Sequence, residues 1–123
     1  KIMAEMEKLL DGLVNLDGAL GAALVDARNG MLLHGVGSAG LDIEIAAAAI
    51  TDVLRANIKM LKLMATGDEV EDILITQGKQ YHILRPVRAV DGVFVYTILD
   101  RRNGNLALAR RKVTDVEEAI VIL

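Results

Sequence analysis

The spacing of apolar and polar positions changes several times along the chain, and each change marks an element. From Ile2 to Leu16, Ile2, Met6, Leu9, Leu10 and Leu13 recur at three- and four-residue steps, with Glu5, Glu7, Lys8 and Asp11 opposite. That is the period of an amphipathic helix, and Asp17-Gly18 ends it. Two short apolar runs follow, Ala19 to Asp26 and Met31 to Val36, on either side of Arg28-Asn29-Gly30. Asn-Gly between such runs predicts a hairpin, because both residues tolerate the positive φ of a tight turn. The first run is apolar on both alternating faces, the mark of a central strand covered on each side.

The stretch from Asp42 to Thr66 predicts one long helix. Glu44, Thr51, Asp52, Arg55, Lys59, Lys62 and Thr66 gather on a narrow polar arc. Ile43, Ala46, Ala47, Ile50, Val53, Leu54, Ile58, Leu61 and Met64, extended by Ile45, Ala49, Ala56, Met60 and Leu63, fill the remainder. The apolar arc is roughly 220° wide, against the ~100° that lays a helix on one core. A second surface must cover the excess, most simply another copy of the chain.

Three strand-like runs come next: Glu69 to Thr76, Gln80 to Val87 and Gly92 to Asp100, with turns at Gln77-Gly78-Lys79 and Ala89 to Gly92. They predict an antiparallel meander. The first opens with alternating acids, as a strand near a sheet edge does. The last is apolar on both faces and therefore central, and Pro86, lacking an N–H, belongs at a strand end or bulge. After Asn103-Gly104-Asn105 a final continuous helix is predicted, with Leu106, Ala109, Val113, Val116 and Ile120 inward and Arg110, Arg111, Glu117 and Glu118 outward. The order α-β-β-α-β-β-β-α is an α+β fold. We expect a five-stranded antiparallel sheet, the long central helix on one face and the terminal helices on the other.

At 123 residues, one domain over residues 1–123 is expected. Only Phe94, Tyr81 and Tyr96 are aromatic, so aliphatic residues must build the core and a base-stacking surface is disfavoured. The net charge of −3 argues against nucleic-acid backbones as partners. Without Cys, disulfides, thiolate metal sites and cysteine nucleophiles are excluded. No apolar run has the length of a membrane span, and a cytoplasmic protein is expected. The chain starts at Lys1 rather than Met, which leaves an upstream piece open.

Candidate chemistry is sparse. Gly35-Val36-Gly37-Ser38-Ala39-Gly40 matches a dinucleotide fingerprint, but Asp42 and Glu44 would repel a pyrophosphate from the following helix. A connecting loop is expected there. His34 and His82, the two imidazoles, lie on different strands and suggest structural or surface roles rather than a metal site. Asp68, Glu69, Glu71 and Asp72 lack calcium-loop spacing, and nearby arginines, Arg85 and Arg110 among them, could pair with them. No catalytic set, metal or cofactor is expected. Asn57 falls inside the apolar arc, so its amide either bonds nearby backbone or meets its symmetry mate and fixes dimer register.

Over nearly its whole length the chain resembles the Roadblock/dynein light chain family. The resemblance rests on Gly21-Ala22-Ala23-Leu24-Val25-Asp26 with Gly30, Glu44-Ile45-Ala46-Ala47, and Ile73-Leu74-Ile75. It continues in Leu84-Arg85-Pro86-Val87, Leu99-Asp100-Arg101 and Asn105-Leu106-Ala107-Leu108-Ala109-Arg110. It implies a non-enzymatic homodimer or heterodimer that binds and regulates a small Ras-like GTPase, or a structural adaptor in a motor or polarity complex. Two sheets would join edge to edge through Glu69 to Thr76, with paired long helices over one face. The dimer interface implied comprises Ala46, Ala49, Ile50, Val53, Asn57, Met60, Met64, Ile73 and Ile75. The GTPase would meet Asp52, Arg55, Lys59 and Lys62, which otherwise are solvated charges. A small-ligand sensor or enzyme using the Gly35–Gly40 loop is the reading from another class.

Overall fold

A computed structural model describes residues 2–121, with side chains from Glu5 to Val121, so the inward position expected of Ile2 lies outside the described side chains. The elements are α1 (Ile2–Val14), β1 (Ala19–Asp26), β2 (Met31–Gly37), α2 (Ile43–Met64), β3 (Ile73–Thr76), β4 (Gln80–Pro86), β5 (Val93–Asp100) and α3 (Leu106–Ala119). They form one five-stranded sheet in the order β2-β1-β5-β4-β3, every pair antiparallel. The predicted α+β class and element order hold.

β1 and β5 lie inside the sheet, as their two-sided apolar patterns require, together with β4, and the β1–β5 pairing runs from Ala19↔Leu99 to Asp26↔Val93. Because successive side chains alternate in face, the sheet divides its residues between two cores. Ala22, Leu24, Ile83, Val95 and Leu99 pack with Met6, Leu10 and Leu13 of α1 and with Ala109, Val113, Val116 and Ile120 of α3. Ala23, Val25, Leu84, Phe94, Tyr96 and Ile98 pack with Ala47, Ile50 and Leu54 of α2. Thus α2 has one face to itself, and the terminal helices share the other.

α2 lies close over the β1–β2 hairpin. Gly30, at φ +75°, closes the turn, and a Cβ there would sit 3.2 Å from Ala48 Cα. A helix of 22 residues spans about 33 Å, whereas the eight-residue β1 spans about 26 Å. The C-terminal turns of α2 therefore overhang the sheet.

Two boundaries differ from expectation. β3 is confined to Ile73–Thr76, because the acids before it are drawn off the edge: Asp72 Oδ2 lies 3.3 Å from Arg110 Nη2 and Glu71 Oε1 3.8 Å from Arg85 Nη1. The loop expected over Gly35–Gly40 starts later, since Gly35 and Gly37 pair with Ala23 and Gly21 as part of β2. Pro86 ends β4, where no further N–H is needed. α3 runs unbroken through Thr114, whose hydroxyl donates to the Arg110 carbonyl at 3.1 Å.

Candidate functional site

α2 is capped at both ends. Asp42 Oδ1 accepts from Ile45 N at 3.1 Å, and Ala65, in the left-handed region, returns its N–H to Leu61 and Lys62. The Asp42 carboxylate thus occupies the position a phosphate would need, which removes the geometry of the dinucleotide reading. Among the described residues no group of three or more His, Asp or Glu is placed to hold a metal ion. No helix there is long and apolar enough to cross a membrane.

Around α2 three strips run lengthwise. Ala47, Ile50, Thr51 and Leu54 are buried against the sheet, a stripe of the ordinary ~100° width. Thr51 corrects the expectation of a polar-arc residue. It faces the Gly30 turn, and its hydroxyl satisfies itself on the Ala47 carbonyl at 2.8 Å, so it can be buried without loss. Ile50 faces the protomer's own core, at 6% exposure.

The second strip is apolar and bare. Ile45 (68% exposed), Leu63 (77%), Met64 (59%), Met60 (46%) and Val53 (39%) line it together with Ala49 and Ala56, and it covers roughly another 120° of the helix. Since Ala48 and Thr51 turn toward the hairpin, the opposite flank, with Ala46, Val53 and Met60, overlooks β4 and β3. There Ile73 and Ile75 are only half-buried. Asn57 sits half-buried at the seam between the strips, and among the described residues its amide makes no hydrogen bond, so the backbone partner considered for it is not formed.

The third strip holds Asp52, Arg55, Lys59 and Lys62, all exposed and without an ion pair among the described residues. With Glu44, which shares that arc, three cations stand against two acids on an otherwise acidic protein.

No protein-family model matches this chain, and no curated protein does. Solved structures do. Myxococcus xanthus MglB is similar with a TM-score of 0.84 at 20% identity, over 98% of this chain and 95% of that one. A Roadblock/LC7 domain from Streptomyces avermitilis is similar at 0.78 and 14% identity, over 91% of each chain. An MglB in a tetrameric arrangement is similar at 0.79 and 15% identity, over 96% of this chain and 86% of that one. The fold is of the Roadblock/LC7 type.

Within this Roadblock/LC7-type fold, two polar clusters have no counterpart in the sequence reading. Glu117, expected to point outward, is 3% exposed; its Oε1 accepts from Arg85 Nε at 2.8 Å, and its Oε2 lies 3.4 Å from Arg88 N. The pair forms part of the wall of a cleft of about 710 Å³, together with Leu54, Ile58, Leu61 and Val70. His82 Nδ1 lies 2.6 Å from the Tyr96 hydroxyl and its Nε2 2.9 Å from Gln80 Oε1. Period-two spacing of Gln80 and His82 was the available signal, but their partner on β5 is 14 residues away. At the hairpin, the side chain and N–H of Arg28 both donate to Asp26, and they hold that carboxyl down to about 2. His34 Nε2 lies 4.0 Å from Glu7 on the opposite face of the sheet from α2.

Proposed function

We propose that this chain, one Roadblock-like domain over residues 1–123, is a non-catalytic homodimeric cytoplasmic regulator or scaffold for a small Ras-like GTPase. The observation that carries the reading is the second apolar strip of α2. Bare apolar area this continuous marks an association surface, and a strip along a helix is self-complementary when two copies pack antiparallel about a two-fold axis. Ala46, Ala49, Val53, Asn57, Met60 and Met64 would meet their mates, with Ile50 supporting the strip from beneath. The β3 edge, with Ile73 and Ile75, would extend the contact. Shortening of β3 favours this, since its acids pair elsewhere and leave an uncharged edge.

A dimer so built leaves the Asp52, Arg55, Lys59 and Lys62 strip of each copy on its outer surface. Likeness in fold to MglB and to a Roadblock/LC7 domain, together with the sequence resemblance, supports a GTPase as its partner. The capped N-terminus of α2 weighs against a phosphate-bearing small ligand. In a pull-down from cells of the source, the wild-type chain should retain a small GTPase. Arg55→Glu with Lys59→Glu should weaken retention at least about tenfold through repulsion. Undiminished retention removes these residues from the interface, and retention of no GTPase at all overturns the reading.

A further inference from the structure

We propose that the interface between two copies carries a proton-operated release with His82 as its sensor. This rests on the homodimer reading above. His82 lies mid-strand on β4, opposite Ile75 of β3 and Ile98 of β5, on the sheet face that carries α2 and next to the edge strand β3. With the Gln80 amide as placed, Gln80 Oε1 can only accept, so His82 Nε2 carries the hydrogen and Nδ1 accepts from the Tyr96 hydroxyl. The neutral ring is thereby satisfied at both nitrogens.

Protonation adds a hydrogen at Nδ1. Tyr96 must then turn its oxygen to accept, and its own hydroxyl hydrogen needs a new acceptor. Tyr96 is 1% exposed, and the side chains packed around this point, Ile73, Ile75 and Ile98, supply none. In a separate protomer His82 is only half-buried, so water can serve the charged ring. Beneath a second copy, water is excluded and the charged ring loses that solvation. The charged form is therefore worse tolerated in the dimer, and by linkage proton binding must favour dissociation.

The surroundings do not mask this effect. Burial is the resolved cause that lowers the His82 pKa, with no charged side chain of α2 or any other element contributing. The titratable group facing it is the Tyr96 phenol of β5, which burial pushes well up, so that it stays neutral throughout. β3 presents Ile75, and β4 itself presents Gln80 and Leu84. With two histidines and no cysteine in the chain, His82 and His34 are the side chains whose ordinary range spans mildly acid pH. His34 is an internal control, because a cation there faces Glu7.

The test is sedimentation of the wild type, His82→Gln and His34→Gln at about pH 7.5 and about pH 5.5. The dimer Kd of the wild type and of His34→Gln should rise about tenfold or more on acidification, and that of His82→Gln by less than about twofold. In parallel, the NMR titration midpoint of His82 in the wild type should move up as the protein is diluted from dimer to monomer. A wild-type dimer with the same Kd at both pH values overturns the inference and leaves the dimer standing. An equal response in His82→Gln also overturns it. If that variant does not fold, a midpoint independent of dilution decides against the proposal. A wild-type monomer at about pH 7.5 and micromolar concentration overturns the dimer reading, and this inference with it.

Discussion

On one face of the sheet, α1 and α3 lie side by side and divide the apolar residues of the inner strands between them. On the other, α2 lies alone, longer than the strands beneath it. On the helices, the large apolar side chains left in water follow that division: α2 carries Ile45, Val53, Ile58, Met60, Leu63 and Met64, and α3 carries Leu108, while Met31, Leu33 and Val36 are exposed on the edge strand β2. Two short helices with ordinary stripes close a face, whereas one long helix with two stripes closes half of a face and offers the other half. Polar burial follows the same division. The closed face contains the buried Arg85–Glu117 ion pair, and the open face has His82 and Asn57 at its margin, each half-buried.

The contrast can be broken from either side. The largest effect should come from the closed face, where Glu117→Ala strands the Arg85 guanidinium in the core. A loss of about 3–5 kcal/mol in denaturant unfolding is expected; a loss below about 1 kcal/mol would mean that water or Glu71 replaces the partner. On the open face, Val53→Asp with Met60→Asp should raise the dimer Kd about a hundredfold or more, because carboxylates would be buried against their mates. Protomer stability should change by less than about 1 kcal/mol, both sites being solvent-exposed in the protomer. Sedimentation and denaturation together separate those two quantities.

Smaller effects sharpen the comparison. Asn57→Leu should leave stability equal or higher by up to about 1 kcal/mol while broadening the oligomer distribution in light scattering. An unchanged dimer would take away the register role of that amide. Arg28→Ala should return the Asp26 carboxyl from about 2 toward its ordinary value, near 3.9 in unfolded chains. The folded pKa lies below the unfolded one, so the Arg28 contact stabilises the fold above about pH 4 and that gain disappears as pH falls toward 2. Acid unfolding of the variant should therefore begin at a higher pH, and the NMR titration of Asp26 checks the cause directly.

The architecture was legible because it depends on periodicity. The change from three- and four-residue spacing to alternation, with Asn29-Gly30 and the two-sided pattern of β5, places every element to within a few residues. What could not be seen was where polar residues find partners. Thr51 looks like a surface threonine until Gly30 brings the hairpin against it. Glu117 looks like one more charge on the outer face of α3, because Arg85 is 32 residues earlier on another element. Glu69 to Asp72 alternate like a strand, yet Arg85 and Arg110 draw Glu71 and Asp72 out of the pairing line. Of the proposed interaction surface, the excess apolar width of α2 was visible, and in the protomer that excess lies exposed. How that width divides between buried and bare strips required the placement of the helix over β1 and β2.

The seam between β1 and β5 has a consequence for how the chain is made. Thr97 donates to the carbonyl of Gly21 at 2.8 Å, across 76 residues of sequence, and the middle of the sheet cannot exist until β5 has left the ribosome. Loop closure on that scale precedes any stabilising contact and slows assembly. Until then the β1–β2 ribbon and α2, with both of its apolar strips, stand in water on the nascent chain. This interval is when the emerging polypeptide is most exposed to aggregation and most in need of chaperone cover.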